Sequence, residues 1–247
     1  MSGQIRQRAV LVMAKAPFPG EVKTRLAEVI GAAAAAELQC AFLLDTLAAL
    51  ASGAWAAGVA ARVGLVTPDR RHAAALRALV PANVELVVQP RPGLMAGIAH
   101  AFAWAAEQGI ALLAVTEADS PSLPASHVAA AFELLAEIRR GIALGPCDDG
   151  GYYLVAGSAL DAGSAADLFE GQRYDSSTIC GQTVARARLL GLHAALGPTW
   201  YDVDTMDELG RLRRELAGRR DGLEHTRRLL ASWQPSPGPL DAMLPSP

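Results

Sequence analysis

The chain has 247 residues, of which 51% are hydrophobic and 19% charged, with a net charge of -3. That is ample for a sizeable core and is globular in character, and the faintly acidic balance gives no reason to expect a nucleic-acid partner, which usually leaves a basic excess or face. Three widely separated cysteines, Cys40, Cys147 and Cys180, exclude a disulfide framework and a CxxC zinc site.

Ala9–Ala14 reads as a buried strand. It is too short for a signal-peptide core or a membrane span, and no other run is uninterrupted and apolar enough to span. Further strands are predicted at Ala61–Thr67, Val84–Gln89, Ile110–Thr116 and Ile142–Gly145. Helical patterns separate them at Ala32–Ala51, Arg70–Leu79, Leu94–Glu107 and Ala125–Arg140. Apolar strands alternating with helices predict an α/β fold, with a mostly parallel central sheet covered on both faces. Beyond Gly145 the rhythm shortens. A strand at Gly151–Ala156, a helix over Ser176–Leu190 and a strand at His193–Leu196 follow. Asp204 or Thr205 caps a helix running to about Leu216, and Leu223–Trp233 forms the last one. The expectation is one domain over residues 1–233, followed by a Pro-rich tail over 234–247.

Ligands of open α/β sheets bind beyond the carboxyl ends of the strands. The first strand leads into Lys15-Ala16-Pro17-Phe18-Pro19-Gly20-Glu21-Val22-Lys23-Thr24-Arg25. Three cations in a Pro/Gly loop running into a helix suit a diphosphate; the plainer reading is a solvated loop. The fourth strand ends at Thr116-Glu117-Ala118-Asp119-Ser120-Pro121, where Asp119 either offers hard oxygens to Mg²⁺ or Mn²⁺ or caps a turn. In Gly145-Pro146-Cys147-Asp148-Asp149-Gly150-Gly151-Tyr152-Tyr153, two acids precede two glycines, which reads as a ligand approach or as a hairpin turn with exposed acids. Asp202 and Asp204 stand at i and i+2, so an extended backbone turns both toward one cation, or one of them caps the next helix. There is no P-loop and no GxGxxG. The five histidines (His72, His100, His127, His193 and His225) show no metal-binding spacing, and no nucleophile elbow is present.

Together these four stretches, in this order and spacing, resemble the DUF2064 family, also called arsenosugar-biosynthesis-type or rSAM/selenodomain-associated glycosyltransferases. The resemblance covers roughly residues 8 to 215. The family is similar to the GT-A nucleotide-diphospho-sugar transferases and, more distantly, to 2-phospholactate guanylyltransferases and molybdenum-cofactor nucleotidyltransferases. It implies a Rossmann-like GT-A fold, with Lys15, Lys23 and Arg25 near the nucleotide phosphates. It also implies Asp119 as first metal ligand, Asp202 and Asp204 completing the site, and Asp149, Gly150 and Gly151 lining the donor or acceptor pocket. On position alone, Asp149 and Asp119 are the catalytic candidates.

The chain departs from the family pattern at three places. Glu117 replaces a glycine and Ser122 replaces a second acid. Gly93-Leu94-Met95-Ala96-Gly97-Ile98 lacks the arginine common there, and Tyr174-Asp175-Ser176 stands for Trp-Ser-Thr. The resemblance implies metal-dependent glycosyl transfer from a nucleotide-sugar to a small acceptor. The alternatives are nucleotidyl transfer to a phosphorylated small molecule and nucleotide binding without turnover. A cytoplasmic protein with no nucleic-acid or membrane partner is expected, and homo-oligomerisation is left open.

Overall fold

A computed structural model describes residues 7–52, 61–138, 140–158, 162–172, 177–219 and 221–233. The strands are β1 (Arg8–Met13), β2 (Ala61–Thr67), β3 (Glu85–Val88), β4 (Leu112–Glu117), β5 (Gly141–Pro146), β6 (Tyr152–Ser158) and β7 (His193–Leu196). The helices are α1 (Thr24–Ile30), α2 (Ala32–Ala51), α3 (Arg70–Leu79), α4 (Leu94–Glu107), α5 (Ala125–Ala136), α6 (Ala162–Phe169), α7 (Ile179–Leu189), α8 (Met206–Gly218) and α9 (Glu224–Ser232).

One sheet runs in the order β3-β2-β1-β4-β6-β5-β7. Only β6 runs antiparallel to its neighbours, β4 and β5. Its tight turn from β5 fixes that direction, because two strands joined by so short a loop cannot run parallel. Along β1 the side chains alternate between faces. Val10 and Val12 meet Leu43, Leu76 and Phe132, from α2, α3 and α5. Ala9 and Leu11 meet Ile98, Phe102, Leu168 and Ala187, from α4, α6 and α7. Helices therefore cover both faces, the Rossmann-like arrangement of the nucleotide-diphospho-sugar transferases. A third apolar cluster joins Leu26 of α1 and Phe42 of α2 to Leu209, Leu212 and Leu216 of α8.

Two helix starts fix the geometry of the cleft. Asp69 caps α3 by accepting from His72 N at 2.9 Å. Thr205, not Asp204, caps α8 in a capping box: Glu208 N donates to Thr205 Oγ1 at 3.4 Å, and Thr205 N donates to Glu208 Oε2 at 2.7 Å. Asp204 N donates to the same carboxylate at 2.7 Å, so its own side chain is left for the cleft.

Several boundaries differ from the sequence reading. The helix predicted to reach Arg140 stops at Ala136, and the one predicted from Ser176 starts at Ile179. Helices α1 and α6 were not anticipated; each is short, with no acid in its first turn. Among the described residues α2 is long and apolar enough to cross a membrane, but 56% of that stretch is buried inside the fold, as befits a core helix. Tyr174 to Ser176 and the expected tail lie outside the described residues.

Candidate functional site

A cleft of about 660 Å³ opens at the carboxyl ends of β1, β2 and β4. Lys15 and Lys23 line it from the first loop, Arg25 from the start of α1, Glu117 from the end of β4, Asp119 from just beyond it, and Asp204 from the approach to α8. These segments are distant in sequence but adjacent in space because β1 pairs with both β2 and β4.

Lys23 is the centre of the arrangement. It precedes α1 in the left-handed region, with φ 47°, a strained conformation for a residue bearing a Cβ. Its side chain is 2% exposed, and Nζ lies 2.5 Å from Asp119 Oδ1 and 2.8 Å from Asp204 Oδ1. Burial pushes its pKa down, but the two carboxylates outweigh this and leave it raised. A buried ammonium held twice is costly to unpair: removing one partner of such a pair costs about 3–5 kcal/mol.

Negative charge is in excess around it. Burial, then Asp119 and Asp202, hold the Glu117 carboxyl well above the usual range. Asp202 is pushed up to about 6 by burial, then by Asp204, with Asp149 a smaller contributor. Val203 N donates to Asp119 O at 2.9 Å and ties the two acidic segments together. Among the described residues no three acidic, histidine or cysteine side chains already form a metal cage. The expected trio of Asp119, Asp202 and Asp204 is thus not a preformed one, since two of its members share the Lys23 ammonium. The donor set still suits a hard divalent cation: four carboxylates crowd one monovalent charge, and burial with like-charged neighbours holds Glu117 and Asp202 above the usual carboxylate range.

The acidic glycine motif is used differently. Asp149, Gly150 and Gly151 form the β5–β6 turn and are absent from the cleft lining. Cys147 N donates to Gly151 O at 2.9 Å, and Gly151 N to Asp149 Oδ1 at 2.8 Å. Gly150 has φ +97°, and a Cβ there would run into Ser177 O. Its carbonyl accepts from Cys180 N at 3.1 Å, which pins the turn to the start of α7. Asp148 pairs with Arg211 at 3.2 Å. Burial, then Glu117, pushes the Cys147 thiol up, so it is no thiolate nucleophile.

Ser122, where the family pattern has an acid, is buried and donates to Tyr201 Oη at 3.3 Å. Gly93 and Leu94 line the cleft in the segment lacking the arginine. Sequence reasoning passed over Gln39, Gln89 and Glu21, which also line it. It also passed over His72, which is buried behind the cationic loop and accepts from Ala16 N at 2.9 Å. No spacing signal pointed to these; Glu21 sits inside the cationic motif and was the one within reach.

Comparison with known proteins places the chain among transferases. A family model described as "Uncharacterized protein conserved in bacteria (DUF2064)" matches residues 46–176. The chain is 34% identical over 203 residues to a 3-phospho-D-glycerate guanylyltransferase of Phenylobacterium zucineum (strain HLK1), covering 80% of this chain and 87% of the relative. A solved structure from Desulfovibrio desulfuricans G20, assigned to the nucleotide-diphospho-sugar transferases, superimposes with a TM-score of 0.75 at 29% identity, covering 91% of this chain and 94% of the other. A cytidylyltransferase from Leptospira borgpetersenii serovar Hardjo-bovis (strain JB197) shares the fold, with a TM-score of 0.56 at 11% identity over 92% of this chain and 93% of the other.

Proposed function

The chain belongs to the DUF2064 family and is a transferase, and we propose that it transfers a nucleotidyl group from a nucleoside triphosphate to a phosphorylated small acid, releasing pyrophosphate. The sequence reading ranked glycosyl transfer first; the comparisons favour its alternative. The observation that carries the choice is the likeness to a 3-phosphoglycerate guanylyltransferase across most of both chains. GTP is accordingly the first donor to test and 3-phosphoglycerate the first acceptor.

The chemistry asks little beyond charge and placement. A phosphate oxygen of the acceptor attacks the α-phosphorus of the triphosphate. One P–O bond forms, the α–β bridging P–O bond breaks, and pyrophosphate leaves with that electron pair. A phosphate monoester has its second pKa near 6, at about neutral or below, so it attacks already deprotonated and no general base is required. This removes the need for Asp149 to act as one. Lys15 and Arg25 line the cleft where the polyphosphate would lie and neutralise it. Lys23 carries a charge fixed by Asp119 and Asp204 to the point where the segment after β4 meets the approach to α8. Asp119 and Asp204, with Asp202 beside them, would hold Mg²⁺ or Mn²⁺, which supplies further charge neutralisation at the reacting phosphates. A reaction drawing on nucleoside triphosphate and a phosphorylated acid belongs in the cytoplasm.

The test is product analysis. Purified protein incubated with GTP, Mg²⁺ and 3-phosphoglycerate should release one pyrophosphate per acceptor consumed. Release of a nucleoside diphosphate from a nucleotide-sugar, with no pyrophosphate from any triphosphate, would overturn the reading. Binding without turnover of either donor would mark a non-catalytic member.

A further inference from the structure

The cationic loop between β1 and α1 carries Lys15 and Lys23 and leads directly to Arg25 in the first turn of α1, yet little of it is regular structure. It is held from behind by one histidine. His72, in the first turn of α3, is 5% exposed. Its Nδ1 accepts from Ala16 N at 2.9 Å, between residues 56 positions apart. A backbone N–H only donates, so the ring nitrogen facing it carries no proton, and Nε2 holds the hydrogen. That side of the ring faces Glu21 Oε2 at 3.5 Å. Glu21 is also gripped by Arg71 at 2.8 Å, and the Arg71 guanidinium stacks 3.9 Å from the Phe18 ring centroid. Phe18 meets the imidazole edge-on at 5.2 Å. The turn bonds Phe18 N to Ala16 O at 2.7 Å and Glu21 N to Phe18 O at 3.0 Å complete the loop's own frame.

Both ends of the loop thus converge on one imidazole, directly at Ala16 and through Glu21 near Lys23. Resting on the nucleotidyl-transfer reading for its ligand, we infer that His72 is the positioning residue of the triphosphate-gripping loop. The neutral ring sets where Lys15 stands in the cleft and delivers the chain to Lys23 in its left-handed conformation. His72 does not line the cleft, so its effect falls on the grip and not on the reacting bond. The anchor also explains how a segment rich in proline and glycine holds three like charges together: its buried N–H finds an acceptor from a different strand-helix unit.

His72→Phe keeps a ring against Phe18 and removes the acceptor, while His72→Asn returns an oxygen at the Nδ1 position. With the full chain, GTP, Mg²⁺ and saturating 3-phosphoglycerate, His72→Phe should raise KM for GTP about ten-fold, leave kcat within about two-fold, and be rescued by His72→Asn to within about three-fold of the native value. In the absence of any nucleotide, trypsin should cut after Lys15 about ten-fold faster in His72→Phe than in the native chain, again with rescue by His72→Asn. Native KM and native cleavage in His72→Phe would overturn the inference, even with a lowered Tm, because His72 would then be core packing only. So would a His72→Asn variant indistinguishable from His72→Phe. If the native chain turns over no GTP, the proposed function falls while the trypsin comparison still decides the anchor.

Discussion

Two loops at the same edge of the sheet, both rich in glycine and charge, have opposite occupations. The β1–α1 loop sends its charges into the cleft, and Lys23 meets Asp119 and Asp204 there. The β5–β6 turn spends its polar groups on holding its own shape and place: Asp149 accepts from Gly151 N, Asp148 pairs with Arg211 of α8, and Gly150 is wedged against Ser177. By sequence the second motif is the more distinctive. The contrast teaches that a rare pattern can reflect a steric demand of the backbone as well as a ligand's demand for charge.

Paired substitutions sharpen the contrast. Asp119→Asn should lower kcat/KM about a thousand-fold, whereas Asp149→Asn, whose amide oxygen still accepts from Gly151 N, should stay within about three-fold. Steady-state kinetics on both variants checks this, and comparable losses would erase the distinction. The glycines give the next largest effect. Gly150 has φ +97° and no room for a Cβ, so Gly150→Ala should cost about 3 kcal/mol in urea unfolding. Gly20, in the cationic loop, has φ +82° with nothing within 4 Å of a Cβ, and Gly20→Ala should cost only about 1 kcal/mol.

A pH dependence is expected at Asp202. Its folded pKa is pushed up to about 6 from the model-peptide 3.8, so the folded state holds a proton that the unfolded chain has lost. Its contribution to stability is therefore favourable at low pH and falls as pH rises from about 4 to about 6. Without added divalent ion, Tm of the native chain should fall relative to Asp202→Asn across that window, and Mn²⁺ should restore it near neutrality. Parallel Tm curves for the two proteins would show that Asp202 does not feel its acidic neighbours.

Much of the fold was legible in the sequence. β1, β2, β4 and β5 are short apolar runs because both their faces are buried, and β2 was placed to the residue. The antiparallel β6 was legible as a strand but not in direction, which depends on pairing partners. Helix α1 escaped because it has seven residues, no side-chain cap and a preceding Lys23 at positive φ, a conformation no propensity scale anticipates. In the cleft, residue type alone left Lys15, Lys23, Arg25, Asp119 and Asp204 open between a ligand site and solvated or capping charges, and the family resemblance pointed to the former. What sequence withheld was the pairing: nothing in it says that Lys23 would occupy the space between Asp119 and Asp204. His72 was beyond reach for the same reason, its role being a bond across 56 positions.

The ion pair between Lys23 and Asp204 spans 181 positions, and this bears on biogenesis. A ribosome has finished the cationic loop long before the second carboxylate emerges. Until then the ammonium lacks the neighbours that make its burial tolerable and must remain hydrated. Helix α9, made later still, is capped by Asp45 of α2, which accepts from His225 N at 3.0 Å and Thr226 N at 2.8 Å. The full set of partners around Lys23 is therefore complete only once Asp204 has been made.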